Sequence, residues 1–496
     1  MMRKAAGLLF AGNLISKILG FGREIIVAAL FGTGQTIGAF RVAQAGTAVP
    51  INFLTSDSLN SAFIPLYKQY QNEQPGKAQS LFFVLLALFS LLSLLLTAGL
   101  WLAADLWVKL LAPGLDPGTS SLASSMIQIM GLGIPFYIFS ALFNFLSVAH
   151  NDFSPMAARP IIQNIGLIGG ALAAYATSNP LMFAWSFSIS FAAFSIWNVW
   201  RASTSKLIAW PNTFNWPDNC VLLKAFWRTL RPLLLLPFFL QGNIVVERMV
   251  ASLIGLAAIS SLDYARFVTE TMILLISVPI AFAGLSHWSG LKAEAIHKHL
   301  MKTLTVMLIV AIPASLFLSI HSTLVVQVLY ARGAFNSESV KITSDILLGT
   351  SIGLWAQVIG YVLIKGLNAQ MRNRAVLWVM IAALLANVAF NLILHPYLGA
   401  MTLGLGNTAY SLALLAGTLS ALKLWREFFV RSRMVALGGL GYLILSSQLP
   451  SITNIWASLT IAGCFAILYW AIWIMLVPSL RQVTLGIIMR KSGEKN

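Results

Sequence analysis

The sequence predicts an all-α polytopic membrane protein with about fourteen transmembrane helices. Three observations lead to this fold class. Of the 496 residues, 58% are hydrophobic and only 9% are charged. The mean hydropathy is +0.81, and apolar runs recur along the whole chain. Because a soluble protein carries about 25% charged residues, most of the surface of this chain is expected to face lipid.

Fourteen apolar segments approach the roughly 20 residues that a helix needs to cross a bilayer. Their approximate centres are residues 18, 48, 93, 135, 168, 190, 240, 268, 312, 355, 385, 411, 442 and 466. The first segment follows a basic start, "MMRKAAGLLFAG", which resembles a signal peptide. It continues with charged residues inside it and has no small-residue cleavage signal, so we expect it to remain as the first helix.

The loop charges predict the orientation of these segments. With the N-terminus in the cytoplasm, the cytoplasmic loops and tails contain 24 Lys and Arg residues. The opposite loops contain 3, namely Lys109, Arg332 and Lys341. This is the positive-inside pattern, and it places both termini in the cytoplasm. The net charge of +17 then reflects topology and contact with anionic phospholipids, rather than binding to nucleic acid.

An internal repeat predicts two pseudo-symmetric halves. The stretch "LWVKLLAPGLDPGTSSLASSMIQIMGLGIPF" ends one segment, turns and enters another, and "LVVQVLYARGAFNSESVKITSDILLGTSIGL" does the same about 220 residues later. Many transporters are built from such repeats. We therefore predict a six-helix N-lobe (1–202), a cytoplasmic linker (203–222), a six-helix C-lobe (223–430), and helices 13 and 14 with a basic tail (431–496).

Ionisable residues lie well inside only four segments, the first two of each lobe. They are Lys17, Arg23 and Glu24 in segment 1, Arg41 and Asp57 in segment 2, Glu247 and Arg248 in segment 7, and Asp263, Arg266 and Glu270 in segment 8. A charge at the bilayer centre costs about 2.5–3.5 kcal/mol. Ten such charges facing lipid would exceed the roughly 5–15 kcal/mol of net stability of a typical domain. We expect them to face one another or water, in a mixed-charge cavity between the lobes.

Three of these residues, Arg23, Arg41 and Arg266, predict an anionic substrate that carries phosphate, because the planar guanidinium matches phosphate oxygens. In segment 8, Asp263, Arg266 and Glu270 are spaced i, i+3 and i+7, which places them on one helical face. Lys17 and Asp57 fit equally well as charges at helix ends near the headgroups.

Several motifs occur in a characteristic order: "SKILGFGREIIVAALFGTGQTIGAF", "NSAFIPLYKQY", "HNDFSPMAARPIIQNIGLIGG" and "ARGAF". From about residue 5 to 430 the chain resembles the MurJ/MviN family of lipid II flippases, in the multidrug/oligosaccharidyl-lipid/polysaccharide exporter superfamily. The resemblance implies two six-helix lobes plus two helices that form a lipid-tail groove. It also implies movement of an undecaprenyl-pyrophosphate-linked sugar from the inner to the outer leaflet by alternating access.

The resemblance implies that Arg23 is the family's essential arginine of the first helix. Three other family positions differ here. An acidic residue in helix 2 is replaced by Gly38, and an arginine pair by Ile51–Asn52. The position of the helix 8 arginine is taken by Phe267, with Arg266 one place earlier.

The predicted function is therefore a flippase for a polyprenyl-pyrophosphate-linked saccharide, either lipid II or an exopolysaccharide or O-antigen repeat unit, in cell-wall or surface-polysaccharide synthesis. The alternative is a small-molecule or cation antiporter of the same superfamily. A membrane enzyme is disfavoured because the outer loops are short and have no catalytic constellation, and the chain has no P-loop for ATP. The predicted cavity residues are Arg23, Arg41 and Arg266 for the pyrophosphate, Gln44, Asn52 and Asn243 for the glycan, and Glu24, Glu247, Arg248, Asp263 and Glu270.

The predicted location is the bacterial cytoplasmic membrane. The expected partners are the undecaprenyl-pyrophosphate-linked glycan, anionic phospholipids and other proteins of cell-envelope synthesis. We expect no cofactor and no metal, with coupling to the membrane potential or to an ion, Na⁺ or H⁺. Cys220, in a predicted loop, and Cys464, in an apolar segment, are too far apart in sequence to suggest a disulfide framework or a metal site.

Cysteine labelling tests the orientation of the loops. A cysteine placed at Ser337 or Thr119 is expected to react with a membrane-impermeant reagent added from outside the cell. A cysteine at Ser203 or Asn373 is expected to be protected, because the positive-inside pattern places those loops in the cytoplasm. Labelling of position 203 from outside would overturn the scheme.

Overall fold

The computed structural model describes residues 2–55, 57–208, 216–288, 293–449 and 453–484. Within these ranges the chain forms nineteen α-helices, a 3₁₀ turn at Arg231–Leu233 and no β-strand. The helices are α1 (Met2–Phe31), α2 (Gln35–Thr55), α3 (Asp57–Glu73), α4 (Pro75–Leu102), α5 (Ala104–Leu111), α6 (Pro117–Gly131), α7 (Ile134–Ala149), α8 (Ser154–Ala176), α9 (Leu181–Thr204), α10 (Trp216–Leu230), α11 (Leu235–Ile254), α12 (Leu256–Trp288), α13 (Ala293–Ile320), α14 (Ser322–Tyr330), α15 (Ser337–Ala369), α16 (Asn373–Leu398), α17 (Met401–Leu422), α18 (Trp425–Ser446) and α19 (Ile455–Leu476).

The predicted all-α membrane class is confirmed. Each of the fourteen predicted centres lies in a different helix. In the described part of the chain, 7 helices are long and apolar enough to cross a membrane, and two bent helix pairs bring the number to 9. The helices that carry intramembrane charge, α1, α2 and α12, are not among the seven. The total of fourteen spans stays a prediction.

By its internal contacts the chain divides into two compact units, residues 1–260 and 261–496. In the first unit α1 packs on α8, α8 on α9, and α2 on α6 and α11. In the second unit α15 packs on α13 and α17, and α16 on α17. The predicted lobes are defined by the order of the helices, whereas these units are defined by contacts. The boundaries of the lobes stay predictions.

Small residues bring these helices into close contact, as is common where no hydrophobic effect drives helices together in lipid. On α15, a Cβ added to Gly349 would lie 2.9 Å from the backbone of α17 at Met401 O and Leu405 N. On α8, a Cβ at Gly166 or Gly170 would overlap the side chain of Ser190 or Ser186 on α9.

The internal repeat reappears in atomic detail. Each copy has a short helix, α5 or α14, then a turn, then a longer helix with a side-chain cap. Asp116 caps α6 by accepting hydrogen bonds from the Thr119 hydroxyl at 2.6 Å and backbone N–H at 2.9 Å. Asn336 caps α15 by accepting the same pair from Ser339, both at 2.9 Å. The hydroxyl and backbone hydrogen bonds from Thr119 lower the pKa of Asp116.

Two sequence predictions need correction. Cys220 lies on helix α10 rather than in a loop, because a regular helix begins at Trp216. Thr119 is fully buried with its hydroxyl on Asp116, so it is a poor labelling position, and the exposed Ser121 replaces it. Cys220 and Cys464 are both free and exposed. Both must be removed before other positions are labelled.

The turn after α5 makes a close contact with the end of α11. Gly114 donates its backbone N–H to Ser252 Oγ at 3.2 Å. A Cβ at Gly114 would lie 2.6 Å from the Ser252 carbonyl carbon and 2.9 Å from Leu253 N, and would overlap the carbonyl oxygen. Since these atoms belong to backbone, they cannot rotate away.

We therefore expect Gly114→Ala to push the turn away from α11 and to destabilise the first unit by about 1–3 kcal/mol, the usual cost of overpacking. The measurement is the midpoint of thermal unfolding of the purified protein in detergent. Gly76→Ala is the matched control, because nothing lies within 4 Å of a Cβ at Gly76. Equal midpoints for both variants would show that the contact at Gly114 is not close.

Candidate substrate-binding site

Three of the predicted cavity residues form one buried group, here named the arginine–carboxylate cluster: Arg23, Glu24 and Arg41. Glu24 on α1 is 2% exposed and Arg41 on α2 is 4% exposed. Arg41 donates Nη2 to Glu24 Oε2. Arg23 donates Nε and Nη2 to Glu24 Oε1 at 3.2 and 2.5 Å. One carboxylate therefore bridges two guanidinium groups from adjacent helices.

A third helix fixes the position of Arg23. Its Nη1 donates to Asn164 Oδ1 on α8 at 2.9 Å. The amide nitrogen of Asn164 donates to the backbone oxygen of Ser16 at 3.1 Å and to its hydroxyl at 3.3 Å. Arg23 is therefore held by Glu24 on its own helix and by Asn164 from α8, while Asn164 is itself oriented by Ser16.

The arginine–carboxylate cluster carries an excess of one positive charge, because it has two cations and one anion. Glu24 and Arg41 are almost completely shielded, whereas the Arg23 side chain is 18% exposed. Of the three, Arg23 is the residue that a ligand reaches most easily. A cationic guanidinium whose other hydrogen bonds are already fixed is suited to bind a phosphate oxygen.

The remaining predicted residues of the first unit lie on α2 and α11. Gln44, half-buried one turn after Arg41, accepts a hydrogen bond from Arg41 Nη1 at 3.3 Å and so extends the cluster. Asn52 is half-buried near the end of α2.

On α11, Glu247 and Arg248 are buried at 4% and 7% exposure. Arg248 donates Nη1 to the Ile259 carbonyl at 2.8 Å, at the start of α12. Asn243 is half-buried.

The predicted residues of segment 8 lie on one continuous helix, α12, within the second unit. Asp263 and Arg266 are half-buried and Glu270 is exposed. Lys17 is half-buried on α1, and the side chain of Asp57 lies outside the described residues. The predicted cavity between two lobes, and the shared grip of Arg23, Arg41 and Arg266, stay predictions.

Two features of the site were not predicted from the sequence. Asn164 is a direct partner of Arg23, and the sequence signal was a pair of adjacent amides, Gln163 and Asn164, inside the apolar run "IIQNIGLIGG". Gly38 lies where a Cβ would overlap the Leu256 side chain at Cδ1. Leu256 therefore occupies the space that a side chain at position 38 would need.

Comparison with known proteins identifies the family. A family model described as lipid II flippase MurJ matches residues 27–476. The chain belongs to the MurJ family. The match begins just after Arg23 and Glu24. The assignment of these two residues to the site therefore depends on their contacts in the structure.

Individual proteins that are similar to this chain also carry the name of the MurJ family. A protein of Buchnera aphidicola subsp. Acyrthosiphon pisum (strain APS), named probable lipid II flippase MurJ, is 24% identical over 397 residues, which is 78% of this chain and 76% of that protein. A solved structure of the lipid II flippase MurJ in an inward closed conformation aligns with a TM-score of 0.82 and 22% identity, over 94% of this chain and 97% of that one.

A multidrug resistance MATE family transporter of the MOP superfamily, solved in an inward-facing conformation, has the same fold at greater distance. Its TM-score is 0.67 at 14% identity, over 83% of this chain and 96% of that one. This likeness shows a shared fold. As a member of the MurJ family, the chain is a multi-pass membrane protein of a flippase family.

We expect Glu24→Gln to destabilise the protein strongly. The amide keeps the shape of the carboxylate but leaves the buried Arg41 and the partly buried Arg23 without their counter-charge. Removal of one partner from a buried ion pair costs about 3–5 kcal/mol. The measurement is a lower midpoint of thermal unfolding in detergent. The double variant Glu24→Gln/Arg41→Gln should recover part of the loss, since it removes one of the two stranded charges.

Glu73→Gln provides the control for this prediction. Glu73 is exposed at the end of α3, and exposed substitutions usually change stability by no more than about 0.5 kcal/mol. If Glu24→Gln unfolds at the same temperature as Glu73→Gln, the carboxylate does not hold the two arginines together.

Proposed function

We propose that this protein translocates lipid II, a polyprenyl-pyrophosphate-linked saccharide, from the inner to the outer leaflet of the bacterial cytoplasmic membrane by alternating access. The observation that carries the proposal is the arginine–carboxylate cluster, in which a partly exposed Arg23 is held ready for an anion by Glu24 and Asn164. Membership of a family described as lipid II flippases supports the same substrate. In this proposal the protein transports its substrate and changes none of the chemical bonds of the substrate.

The pyrophosphate would bind first at Arg23. The two phosphates offer several acceptor oxygens, and a guanidinium can contact them in a bidentate way. Glu24 would shift its hydrogen bonds toward Arg41 as Arg23 engages the ligand, which keeps the buried carboxylate paired throughout. We extend this proposal to Arg41 and Arg266 as later contacts for the pyrophosphate, with Gln44, Asn52 and Asn243 facing the sugars.

The energy source is part of the proposal. We propose coupling to the inside-negative membrane potential, because moving one charge through 100 mV is worth about 2.3 kcal/mol. An ion, Na⁺ or H⁺, is the alternative driver. With both termini in the cytoplasm, the substrate would enter from the side where the Lys and Arg residues of the loops concentrate.

A small-molecule or cation antiporter is less well supported. A MATE transporter aligns with a TM-score of 0.67, compared with 0.82 for the MurJ structure. The family match also includes the whole of α18 and α19, the two helices that a six-plus-six antiporter would not need. A buried cluster with an excess of arginine suits an anionic substrate better than a cationic one.

We expect Arg23→Ala to abolish growth support in a bacterium depleted of its own lipid II flippase, while the protein remains in the membrane at normal level. The reason is loss of the one cluster cation that a phosphate can reach. Arg23→Lys should restore little, because lysine keeps the charge but lacks the planar fork. Arg433→Ala, at an exposed position of α18, is the control and should support growth.

A reconstituted assay separates transport from folding. Purified protein in vesicles should flip labelled lipid II, and Arg23→Ala should fail to flip it while retaining its elution volume on gel filtration and its unfolding midpoint to within a few degrees. Normal growth and flipping with Arg23→Ala would reduce Arg23 to a structural partner of Glu24 and Asn164. Export of small cations without lipid II flipping would move the protein to the antiporter class.

A further inference from the structure

Helix α10 has an exposed face that combines cations with large apolar side chains. The buried side of the helix carries Leu222, Phe226 and Leu230, and the helix packs on α3 and α4. The exposed side carries Val221, Lys224, Trp227, Arg228 and Arg231. These five residues are here named the α10 basic face. Val221 is 66% exposed and Trp227 is 56% exposed, more than apolar side chains of a water-facing helix usually are.

The spacing makes this face continuous. Lys224, Trp227, Arg228 and Arg231 follow Val221 at intervals of three, six, seven and ten residues, which places them along one side of a helix. The 3₁₀ turn then leads into α11, where Leu235 and Phe238 are exposed at 41% and 63%. Exposed apolar side chains therefore continue from α10 into α11, the predicted seventh transmembrane segment.

The backbone bends sharply between α10 and α11. The axis of the α10 segment and that of α11 meet at 54°, and only one residue separates the 3₁₀ turn from α11. A helix that meets a predicted transmembrane segment at such an angle, and exposes both tryptophan and cations, is suited to lie along the interface. There tryptophan sits among the headgroups and cations reach the phosphates.

The cations of this face outnumber the acidic residues of the same segment. Among the residues that the structure describes, Lys224, Arg228 and Arg231 take part in no ion pair. Asp218 is the only acidic residue between Trp216 and Leu233. Three cations beside one anion leave a net positive strip, which needs an external anion.

From these features we infer that the α10 basic face is a binding site for anionic phospholipid headgroups of the cytoplasmic leaflet. Lys224, Arg228 and Arg231 contact the phosphates, and Val221 and Trp227 insert between the uppermost acyl carbons. Each basic residue near the surface raises the affinity for anionic lipid about fivefold. Loss of all three cations should therefore weaken binding of an anionic lipid roughly a hundredfold. This inference does not rest on the proposed function.

Cys220 supplies a native probe on the same side of α10, since it is exposed and lies one turn before Lys224. With Cys464→Ser, the full-length protein carries a single cysteine for an environment-sensitive bimane label. In nanodiscs of phosphatidylcholine with about one-third phosphatidylglycerol, the label should emit at shorter wavelength than in pure phosphatidylcholine. It should also be quenched by lipids that carry a nitroxide near the headgroup.

The triple variant Lys224→Gln/Arg228→Gln/Arg231→Gln should abolish both the wavelength shift and the difference in quenching. It should also lower the number of phosphatidylglycerol molecules retained in native mass spectrometry. The matched control is Lys423→Gln/Arg426→Gln/Arg433→Gln, which removes the same charge from exposed positions just before α18 and in its first half. This control should keep the shift, which excludes a general effect of net charge.

Two outcomes would overturn the inference. An equal shift in pure phosphatidylcholine, or an equal loss in the α18 control, would mean that anionic headgroups are not recognised by α10. A label that stays water-exposed in every lipid mixture would mean that the face points to the cytoplasm and suits a protein partner instead. Because none of these measurements requires transport, they are independent of whether the protein flips lipid II.

Discussion

The first unit depends on the bridge that Glu24 makes between Arg23 and Arg41. In lipid there is little water to solvate a guanidinium, so each buried arginine must find an anion or hydrogen-bond acceptors within the protein. A single carboxylate meets this need for two arginines from two helices, and Asn164 meets the rest from a third. The bridge therefore ties α1, α2 and α8 together while leaving one positive charge in excess.

The same bridge explains how a membrane protein can keep a charged site ready without a bound ligand. Arg23 has fixed partners on one side and a partly exposed surface on the other, so a phosphate would meet a guanidinium that is already oriented. Arg41 is shielded and supplies the second guanidinium that pairs with the Glu24 carboxylate. Arg23 is thus the residue that a ligand can contact, and Arg41 pairs with the buried carboxylate. The two arginines look equivalent in the sequence.

Around this site, close helix packing sets the geometry. Glycines on α8 and α15 allow neighbouring helices to approach until hydroxyl and backbone atoms meet, and Gly114 does the same for the turn that touches α11. The paired caps at Asp116 and Asn336 begin α6 and α15 in the same way in the two units. Cations outside the site collect on one side of the predicted topology, and on α10 they occur beside tryptophan on an exposed face.

The sequence by itself determined the membrane class, the positions of the helices and the helices that carry charge. Hydropathy is a local property, so each predicted centre falls within a helix, and the order of motifs was sufficient to indicate the family. It did not determine the number of spans, because length and hydropathy mark only 7 to 9 clear spans in the described part of the chain. The sequence analysis also missed that Cys220 lies on a helix and that the Thr119 hydroxyl donates to Asp116, the N-cap of α6.

Only the tertiary structure decided which charges meet. Arg41 reaches Glu24 across 17 residues of sequence and Arg23 reaches Asn164 across 141, and nothing in the spacing of these residues specifies either pair. Helix rotation and packing decide them, because a turn of one residue moves a side chain about 100° around the helix axis. Packing also decides what lies beside Gly38: the space is occupied by the side chain of Leu256, from the start of another helix.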